Sequence, residues 1–229
     1  MRRLFARGFS NGQEIAMRSI VQWFLSLAGT VVAVAIAFLW IDRPLSLWVH
    51  ANLRHPNNHA FEQLTHIPDP LLPLAVMAFV ALGLWVLAGR PLSRLQTALF
   101  LCSMSLVFAE TTKNEIKLIF GRTWPETWIQ DNPSFIRNGA YGFNFMHAGP
   151  GYQSFPSGHT AAICAVASVI WIWYPRLRVL CAFAVLAVTA GLIGADYHFL
   201  SDTIAGGFVG ISTGWMATTA WDTRGAGEV

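Results

Sequence analysis

The sequence predicts an all-α integral membrane protein, a bundle of six transmembrane helices folded as one domain. Two observations indicate this class. Of the 229 residues, 54% are hydrophobic and only 12% are charged, whereas about a quarter of the residues in a soluble domain carry charge. In addition, apolar stretches that approach the roughly 20 residues needed to cross a bilayer recur along the chain.

The six predicted spans are separated by turns and by two longer loops. They cover roughly residues 20–40, 71–89, 95–112, 160–175, 177–195 and 203–221, and the third continues as a less apolar helix to about residue 120. The first span follows several arginines, as a secretory signal does, but its apolar run exceeds the usual signal core of about 7–15 residues. We therefore expect an uncleaved anchor and a single domain over residues 1–229.

The charges and the cysteines point away from two other classes of protein. The formal net charge of +3 is small and the basic residues are scattered, which argues against a nucleic-acid partner. The three cysteines, Cys102, Cys164 and Cys181, lie in apolar stretches. An odd number of thiols in such surroundings is typical of buried free cysteines, so we predict no disulfide.

Four histidines fall in the loop after the first predicted span: His50, His55, His59 and His66. Pro56 interrupts any regular helical pairing among them, and no cysteine or carboxylate cluster of the kind found in metal sites accompanies them. We therefore expect solvated or interfacial histidines, with no bound metal and no cofactor.

The distribution of arginine and lysine predicts the orientation in the membrane. The two termini and the turns at 90–94 and 175–178 carry Arg2, Arg3, Arg7, Arg18, Arg90, Arg94, Arg176, Arg178 and Arg224. The opposite loops carry fewer basic residues over longer segments: Arg43, Arg54, Lys113, Lys117, Arg122 and Arg137. We therefore expect both termini in the cytoplasm of a bacterial cell, and the protein in its inner membrane.

This orientation places four polar residues on the same, non-cytoplasmic face. Lys117 follows the third span, His159 begins the fourth, and the last two, His198 and Asp202, lie between the fifth and the sixth. Helices that cross a membrane one after another alternate in direction, so these pieces meet at one surface.

A helix start at Ser157 is the first candidate for chemistry. Ser157 follows Pro156 and precedes an apolar helical run, which is typical of an N-cap. The backbone N–H groups of Gly158, His159 and Thr160 then lack intrahelical partners and can bind a phosphate, and glycine lets a ligand approach closely. The alternative is that Ser157 and Gly158 simply begin a helix.

His198 and Asp202 form the second candidate, a histidine with a carboxylate four residues later. The carboxylate can accept from one ring nitrogen, which fixes the tautomer and leaves the other nitrogen as a nucleophile toward phosphorus. The alternative is a pair that merely satisfies two polar groups at the membrane edge, although ionisable groups are costly there and commonly functional.

Lys117 and Arg122, just beyond the third span, are candidates for holding a phosphate. Cations in this place can stabilise the equatorial oxygens of a phosphoryl group during transfer. Lys113 shares a helical face with Lys117 by its spacing of four residues. The alternative is ordinary snorkelling of long basic side chains at a membrane surface.

Aromatic residues are frequent between residues 121 and 158: Trp124, Trp128, Phe135, Tyr141, Phe143, Phe145, Tyr152 and Phe155. Interfacial aromatic residues commonly lie at headgroup depth. The loop is thus interpreted either as a cap at the membrane surface or as a lid that admits a lipid headgroup.

These motifs, in this order, resemble the type 2 phosphatidic acid phosphatase family over roughly residues 70–215. The resemblance implies a metal-independent lipid phosphatase whose site faces away from the cytoplasm. It implies His198 as nucleophile, Asp202 as its orienting carboxylate and His159 as the acid that protonates the leaving oxygen. It also implies phosphate binding by Lys117, Ser157 and Gly158.

The chain departs from the family pattern at two arginine positions. Trp124 stands before Pro125 where the family has arginine, and Leu192 stands at the second position, six residues before His198. We expect Arg122 to reach the same phosphate oxygens from two residues away, with Arg137 or Lys113 supplying the second charge.

The predicted function is hydrolysis of a lipid phosphate or a polyprenyl diphosphate through a phosphohistidine intermediate. The candidate substrates that the family resemblance implies are polyprenyl diphosphate, phosphatidylglycerol phosphate, phosphatidic acid and lipid A phosphate. The expected partners are this substrate and membrane lipids. Two alternatives stay open: a phosphotransferase in which a lipid hydroxyl is the acceptor, and a non-catalytic binder of lipid phosphates. The sequence does not determine the oligomeric state.

Overall fold

The structure is a computed structural model that describes residues 11–53 and 59–225, with side chains described from residue 17 to residue 222 outside the gap. Within these ranges it is all-helical. The helices are α1 (Asn11–Ile36), α2 (Asp42–Asn52), α3 (Ala60–Thr65), α4 (Leu71–Leu87), α5 (Arg94–Phe120), α6 (Phe135–Asn138), α7 (Gly158–Trp173), α8 (Arg178–Gly194) and α9 (Leu200–Gly225). A π-helical turn, Ala37–Ile41, joins α1 to α2.

Three helical stretches in the described part are long and apolar enough to cross a membrane: Met17–Asn52, Arg94–Phe120 and Pro175–Gly194. Two further apolar helices, Leu71–Leu87 and Gly158–Trp173, are shorter. The sixth predicted span lies within α9, which is rich in glycine, serine and threonine. The all-α membrane class is confirmed, while the number of six spans and the orientation stay predictions.

The start and the end of α5 follow from local sequence. Ser93 caps the helix, and its side chain and that of Gln96 bond reciprocally to the backbone. Gly121 ends the helix in the left-handed region at φ 52°, where a Cβ would lie 2.0 Å from Asn144 O. Only glycine fits there, and the turn sends Arg122 back into the protein.

The centre of the bundle is the close contact between α7 and α9. Three glycines of α9, spaced by four residues, face α7: Gly206, Gly210 and Gly214. Small residues at this spacing let two membrane helices approach until their backbones touch. A hydroxyl reinforces the contact, because Ser105 of α5 lies 3.1 Å from both Ala165 O and Thr213 Oγ1.

The helix α1 stands partly apart from this centre. Trp23 Nε1 donates to Ser212 Oγ at 3.0 Å, and many other apolar side chains of α1 face outward. Between α1 and the α7–α9 helices lies a largely apolar groove of about 1020 Å³. Trp215 and Thr160 are among its lining residues, whereas His198 and Asp202 are not. The groove therefore reaches the start of α7 but does not include the pair of His198 and Asp202.

The close packing of α7 on α9 predicts a position-specific cost of adding one methyl group. A Cβ at Gly210 would lie 2.3 Å from Ala161 O, whereas at Gly207 its nearest neighbour would be 3.9 Å away. We expect Gly210→Ala to lower the free energy of unfolding by about 1–3 kcal/mol, because backbone must move. Gly207→Ala is the matched control and should match or exceed the parent. Thermal unfolding in detergent measures both, and equal midpoints would refute the prediction.

Candidate active site

The predicted site residues come together at one end of the bundle. Lys117 lies in the last turn of α5, and His159 is the second residue of α7. His198 lies in the turn before α9, and Asp202 lies in the first turn of that helix. The backbone N–H of Ser157 donates to Asp202 O at 3.0 Å, which joins the start of α7 to the start of α9.

His198 and Asp202 are both buried: the exposed fraction is 5% for His198 and 0% for Asp202. His198 Nδ1 lies 3.5 Å from Asp202 Oδ2. The same carboxylate oxygen accepts from Ser154 Oγ at 2.7 Å and from Phe199 N at 2.9 Å. Asp202 is thus oriented by two further donors, and a carboxylate held in this way can fix the tautomer of the imidazole.

Arg122 binds the other oxygen of Asp202. Its Nη1 lies 2.5 Å from Asp202 Oδ1, and its Nη2 lies 2.7 Å from Asp42 Oδ2. The guanidinium is 0% exposed and is surrounded by four aromatic rings, those of Phe38, Tyr141, Phe143 and Phe199. This geometry does not support the predicted phosphate-binding role of Arg122, because both terminal nitrogens are engaged by carboxylates away from solvent.

Burial and neighbouring charges shift the pKa values of His198 and Arg122 in opposite directions. Burial lowers the pKa of His198 below its usual value, and Asp202 opposes this only in part. Burial also acts to lower the pKa of Arg122, but the carboxylates of Asp202 and Asp42 more than offset it and raise that pKa. His198 is therefore a neutral imidazole near pH 7 and Arg122 is a permanent cation.

The start of α7 is built as the helix-capping pattern predicts. Ser157 Oγ accepts from Thr160 N at 3.4 Å and from Thr160 Oγ1 at 3.1 Å. At Gly158 a Cβ would lie 2.7 Å from Lys113 Nζ, so the ammonium group of Lys113 rests against the glycine. Cationic and backbone N–H groups thus meet at one helix N-terminus, where anions bind readily.

The two remaining members of the predicted site flank this place. Lys117 Nζ donates to Gln153 O and lies 5.7 Å from the centre of the Trp124 ring. The side chain of His159 is 41% exposed, and its Nε2 lies 3.4 Å from Asp69 Oδ1. Burial lowers the pKa of His159 to about 4, and Asp69 opposes this only in part. A phosphate bound beside the ring would favour its protonated form, the form that can donate a proton.

Trp124 and Leu192, which the sequence analysis interpreted as replacements of two family arginines, are both buried among other side chains. The Trp124 ring packs 5.1 Å from the His198 ring, and its Nε1 donates to Pro150 O at 2.8 Å. Leu192 is fully buried against Ile163 and Val188 in the core. Of the proposed replacements, Arg137 is an exposed partner of Asp131 at 3.1 Å, whereas Lys113 pairs with Glu110 at 2.9 Å and lies against Gly158.

Four residues of the site were not predicted from the sequence. They are Asp42, Asp69, Tyr141 and Ser154. Asp42 carried a usable signal, since a carboxylate beside an apolar span is costly unless it has a partner. Ser154 carried none, because a serine in a long loop is common and only the folded chain brings it to Asp202.

The histidines between α2 and α4 have carboxylate neighbours within the described part of the chain. The Nδ1 atoms of His50, His59 and His66 lie 3.0, 3.0 and 2.7 Å from oxygens of Asp196, Glu62 and Asp69. Among the residues with described coordinates, no group of His, Cys, Asp or Glu has a metal-binding arrangement. His55 lies outside them.

The aromatic loop packs over the site through some of its members only. Trp124 and Phe155 are 6% and 7% exposed, and the rings of Phe143 and Phe155 lie 5.3 Å apart. Trp128 and Phe145, by contrast, are 45% and 66% exposed. The inner residues form a cover beside His198, and the outer ones are available to a membrane surface.

Two histidines, a buried carboxylate and lysines at one end of a helical membrane bundle are groups that a phosphoryl-transfer site can use. The chain belongs to the PAP2 superfamily, which it matches over residues 97–226, more than half of its length. This match confirms the family resemblance of the motifs.

Relatives and a solved structure agree with this membership. The lipid A 1-phosphatase of Rhizobium etli is 31% identical over 117 residues, which cover 49% of this chain and 44% of that protein. The lipid A 1-phosphatase of Rhizobium johnstonii is 27% identical over 199 residues, 81% of this chain and 75% of that protein. Aquifex aeolicus LpxE shares the fold, with a TM-score of 0.56, 18% identity, and coverage of 80% of this chain and 98% of its own.

The burial of His198 predicts its titration. We expect its imidazole to protonate below the ordinary histidine pKa of about 6.5, because burial disfavours the charged ring more than Asp202 favours it. NMR of histidine-labelled protein in detergent measures the pH at which each imidazole titrates. The signal that disappears in His198→Gln is assigned to His198. Titration of that signal at or above pH 6.5 would contradict the burial seen here.

Proposed function

We propose that the protein is a phosphatase that hydrolyses a lipid phosphate through a phosphohistidine formed on His198. The observation that carries the proposal is the oriented pair of His198 and Asp202 next to an exposed second histidine, His159. A nucleophile, its orienting group and a proton donor within one site count for more than any of them alone.

In the first step, His198 Nε2 attacks the phosphorus of the substrate. The bond between phosphorus and the leaving oxygen breaks, and His159 supplies a proton to that oxygen. Asp202 accepts from Nδ1 and stabilises the positive charge that develops on the ring. The phosphoryl group is then bonded to His198 and the lipid alcohol can leave.

In the second step, water attacks the phosphohistidine. His159, which lost its proton in the first step, takes one from the water and restores its starting state. Breaking the phosphorus–nitrogen bond returns a neutral His198 and releases inorganic phosphate. The two steps divide a reaction whose uncatalysed rate is among the slowest known.

In this proposal the phosphate is bound by Lys117, Ser157 and Gly158. Lys113 takes the phosphate-binding role that the sequence analysis gave to Arg122. Lys113 is supported by its contact with Gly158, and the free N–H groups at the start of α7 point to the same space. Fixed donors and cations of this kind stabilise the charge on the equatorial oxygens.

The lipid A 1-phosphate is the first substrate to test, because both Rhizobium relatives bear that activity in their names. The other candidates are phosphatidylglycerol phosphate, phosphatidic acid and polyprenyl diphosphate. Transfer to a lipid hydroxyl instead of water uses the same first step and gives a phosphorylated lipid in place of free phosphate. A non-catalytic binder has no need of both a nucleophile and an acid.

The central experiment is phosphate release by purified protein from this panel of lipids, with a chelator present. We expect turnover of at least one lipid in the chelator, and none for His198→Gln, because the nucleophile is gone. Asp202→Asn should lower kcat by about 10²- to 10⁴-fold without abolishing turnover, since orientation is lost while the imidazole stays.

An acid-labile radiolabel on the protein is the second readout of the same variants. It should form with substrate labelled in the phosphate and should be absent from His198→Gln. Arg137→Gln is the control, because Arg137 is exposed and pairs with the exposed Asp131. Undiminished turnover by His198→Gln would remove His198 from the nucleophile's role.

The proposed orientation has its own test. With the three native cysteines replaced by serine, we expect Asp131→Cys to react with a membrane-impermeant thiol reagent in intact spheroplasts and Leu92→Cys to be protected. The reason is the excess of arginine on the side of Leu92. The reverse labelling pattern would place the site in the cytoplasm.

A further inference from the structure

Asp42, at the start of α2, is buried in the middle of the site although it precedes the superfamily match by more than 50 residues. Its side chain is 0% exposed. It accepts from Arg122 Nη2 at 2.7 Å, from Ser201 N at 3.0 Å and from the Ser201 hydroxyl. The residue before Asp202 and the cation that binds Asp202 are thus both held by Asp42.

The two oxygens of Asp202 have separate partners. Oδ2 faces His198 and Ser154, whereas Oδ1 accepts from Arg122. A line of contacts therefore runs from His198 through Asp202 and Arg122 to Asp42. Rotating the carboxylate of Asp202 away from His198 would break the contact with Arg122 at the same time.

We propose that Asp42 and Arg122 are positioning residues: they hold the Asp202 carboxylate toward His198 and set the net charge behind it. The proposal rests on the proposed function, in which His198 is the nucleophile. It extends the site beyond the superfamily match to the apolar helical stretch Met17–Asn52.

The charge balance of this buried group is specific. One guanidinium lies between two carboxylates, so the three side chains together carry one negative charge. Aromatic rings exclude water from it: the guanidinium carbon lies 4.4 Å from the centre of the Phe199 ring and 5.1 Å from that of Phe38. Charges in such surroundings act on their neighbours more strongly than charges in water.

Tyr141 ties the group to the π-helical turn before α2. Its hydroxyl donates to Phe38 O at 2.5 Å and lies 3.3 Å from Asp42 Oδ2. Burial raises the pKa of Tyr141, so the hydroxyl stays a neutral donor. A π-helical turn widens the helix locally and is frequent at functional sites. Here the turn brings the start of α2 to Arg122.

Three variants test the proposal: Asp42→Asn, Arg122→Met and the double variant. Asp42→Asn leaves Arg122 and Asp202 as a neutral pair beside His198. The acidic limb of the plot of kcat/KM against pH should therefore move to lower pH by about 0.5–1 unit. Arg122→Met leaves two carboxylates and should move the limb to higher pH. The double variant restores one negative charge, and its limb should return to the pH of the parent.

The kinetic constants separate positioning from binding. Both single variants should lower kcat at least tenfold while KM stays within about twofold, because the phosphate-binding groups are not touched. The other titratable groups that face His198, namely Lys117 and His159, are the same in all variants. Acidic limbs that coincide with the parent in all three variants would overturn the proposal.

Two further measurements cover misfolding and a failure of the proposed function. If the single variants do not fold, kcat is measured for the double variant, which keeps the net charge of the parent. A parental kcat in this variant would overturn the proposal. If no lipid phosphate is hydrolysed, the proposed function fails, but NMR titration of His198 in the same variants must still shift in opposite directions. Unshifted signals would overturn the positioning role independently of activity.

His50→Gln is the matched control for a general loosening of α2. It removes a contact of 3.0 Å between the same helix and Asp196, in the turn before His198, without touching Arg122 or Asp202. Its acidic limb should stay at the parental pH. A shift equal to that of Asp42→Asn would show that any loosening of α2 has this effect, and would overturn the proposal.

Discussion

The need to neutralise one buried arginine constrains most of this structure. A guanidinium removed from water is tolerated only when carboxylates and hydrogen bonds replace its solvation. Arg122 therefore forms ion pairs with Asp202 of α9 and Asp42 of α2. The left-handed turn at Gly121 directs the Arg122 side chain toward these two carboxylates. The close packing of α7 on the glycines of α9 and the hydrogen bond from Ser157 N to Asp202 O fix the end of α9 that carries Asp202.

Much of the fold was accessible from the sequence because the membrane imposes simple rules. Apolar runs predicted the helices, and the alternation of spans predicted that Lys117, His159 and His198 share one end. The continuation of α5 to about residue 120 was also predicted, and the helix ends at Phe120. The number of spans is harder to derive, because α9 combines length with many small and hydroxyl-bearing residues that pack on α7.

The candidate site was predictable where it depends on local spacing. A capping serine and a histidine four residues before a carboxylate can be recognised in any short segment. The role of Arg122 could not be derived, because its partner Asp42 lies 80 residues away and only folding shows that the guanidinium points inward. Proximity in sequence to Trp124 suggested a phosphate clamp, whereas burial decides that Arg122 serves the carboxylate side of the site.

The indole of Trp124 has a consequence for what happens after hydrolysis. A guanidinium holds a phosphate by two parallel hydrogen bonds, whereas this indole offers none, since its N–H is taken by Pro150 O. The lysines that remain are flexible point charges. For the proposed reaction, the product dianion is then held less tightly than in a site lined by arginine. Inorganic phosphate should therefore inhibit such a site less than it inhibits a site lined by arginine.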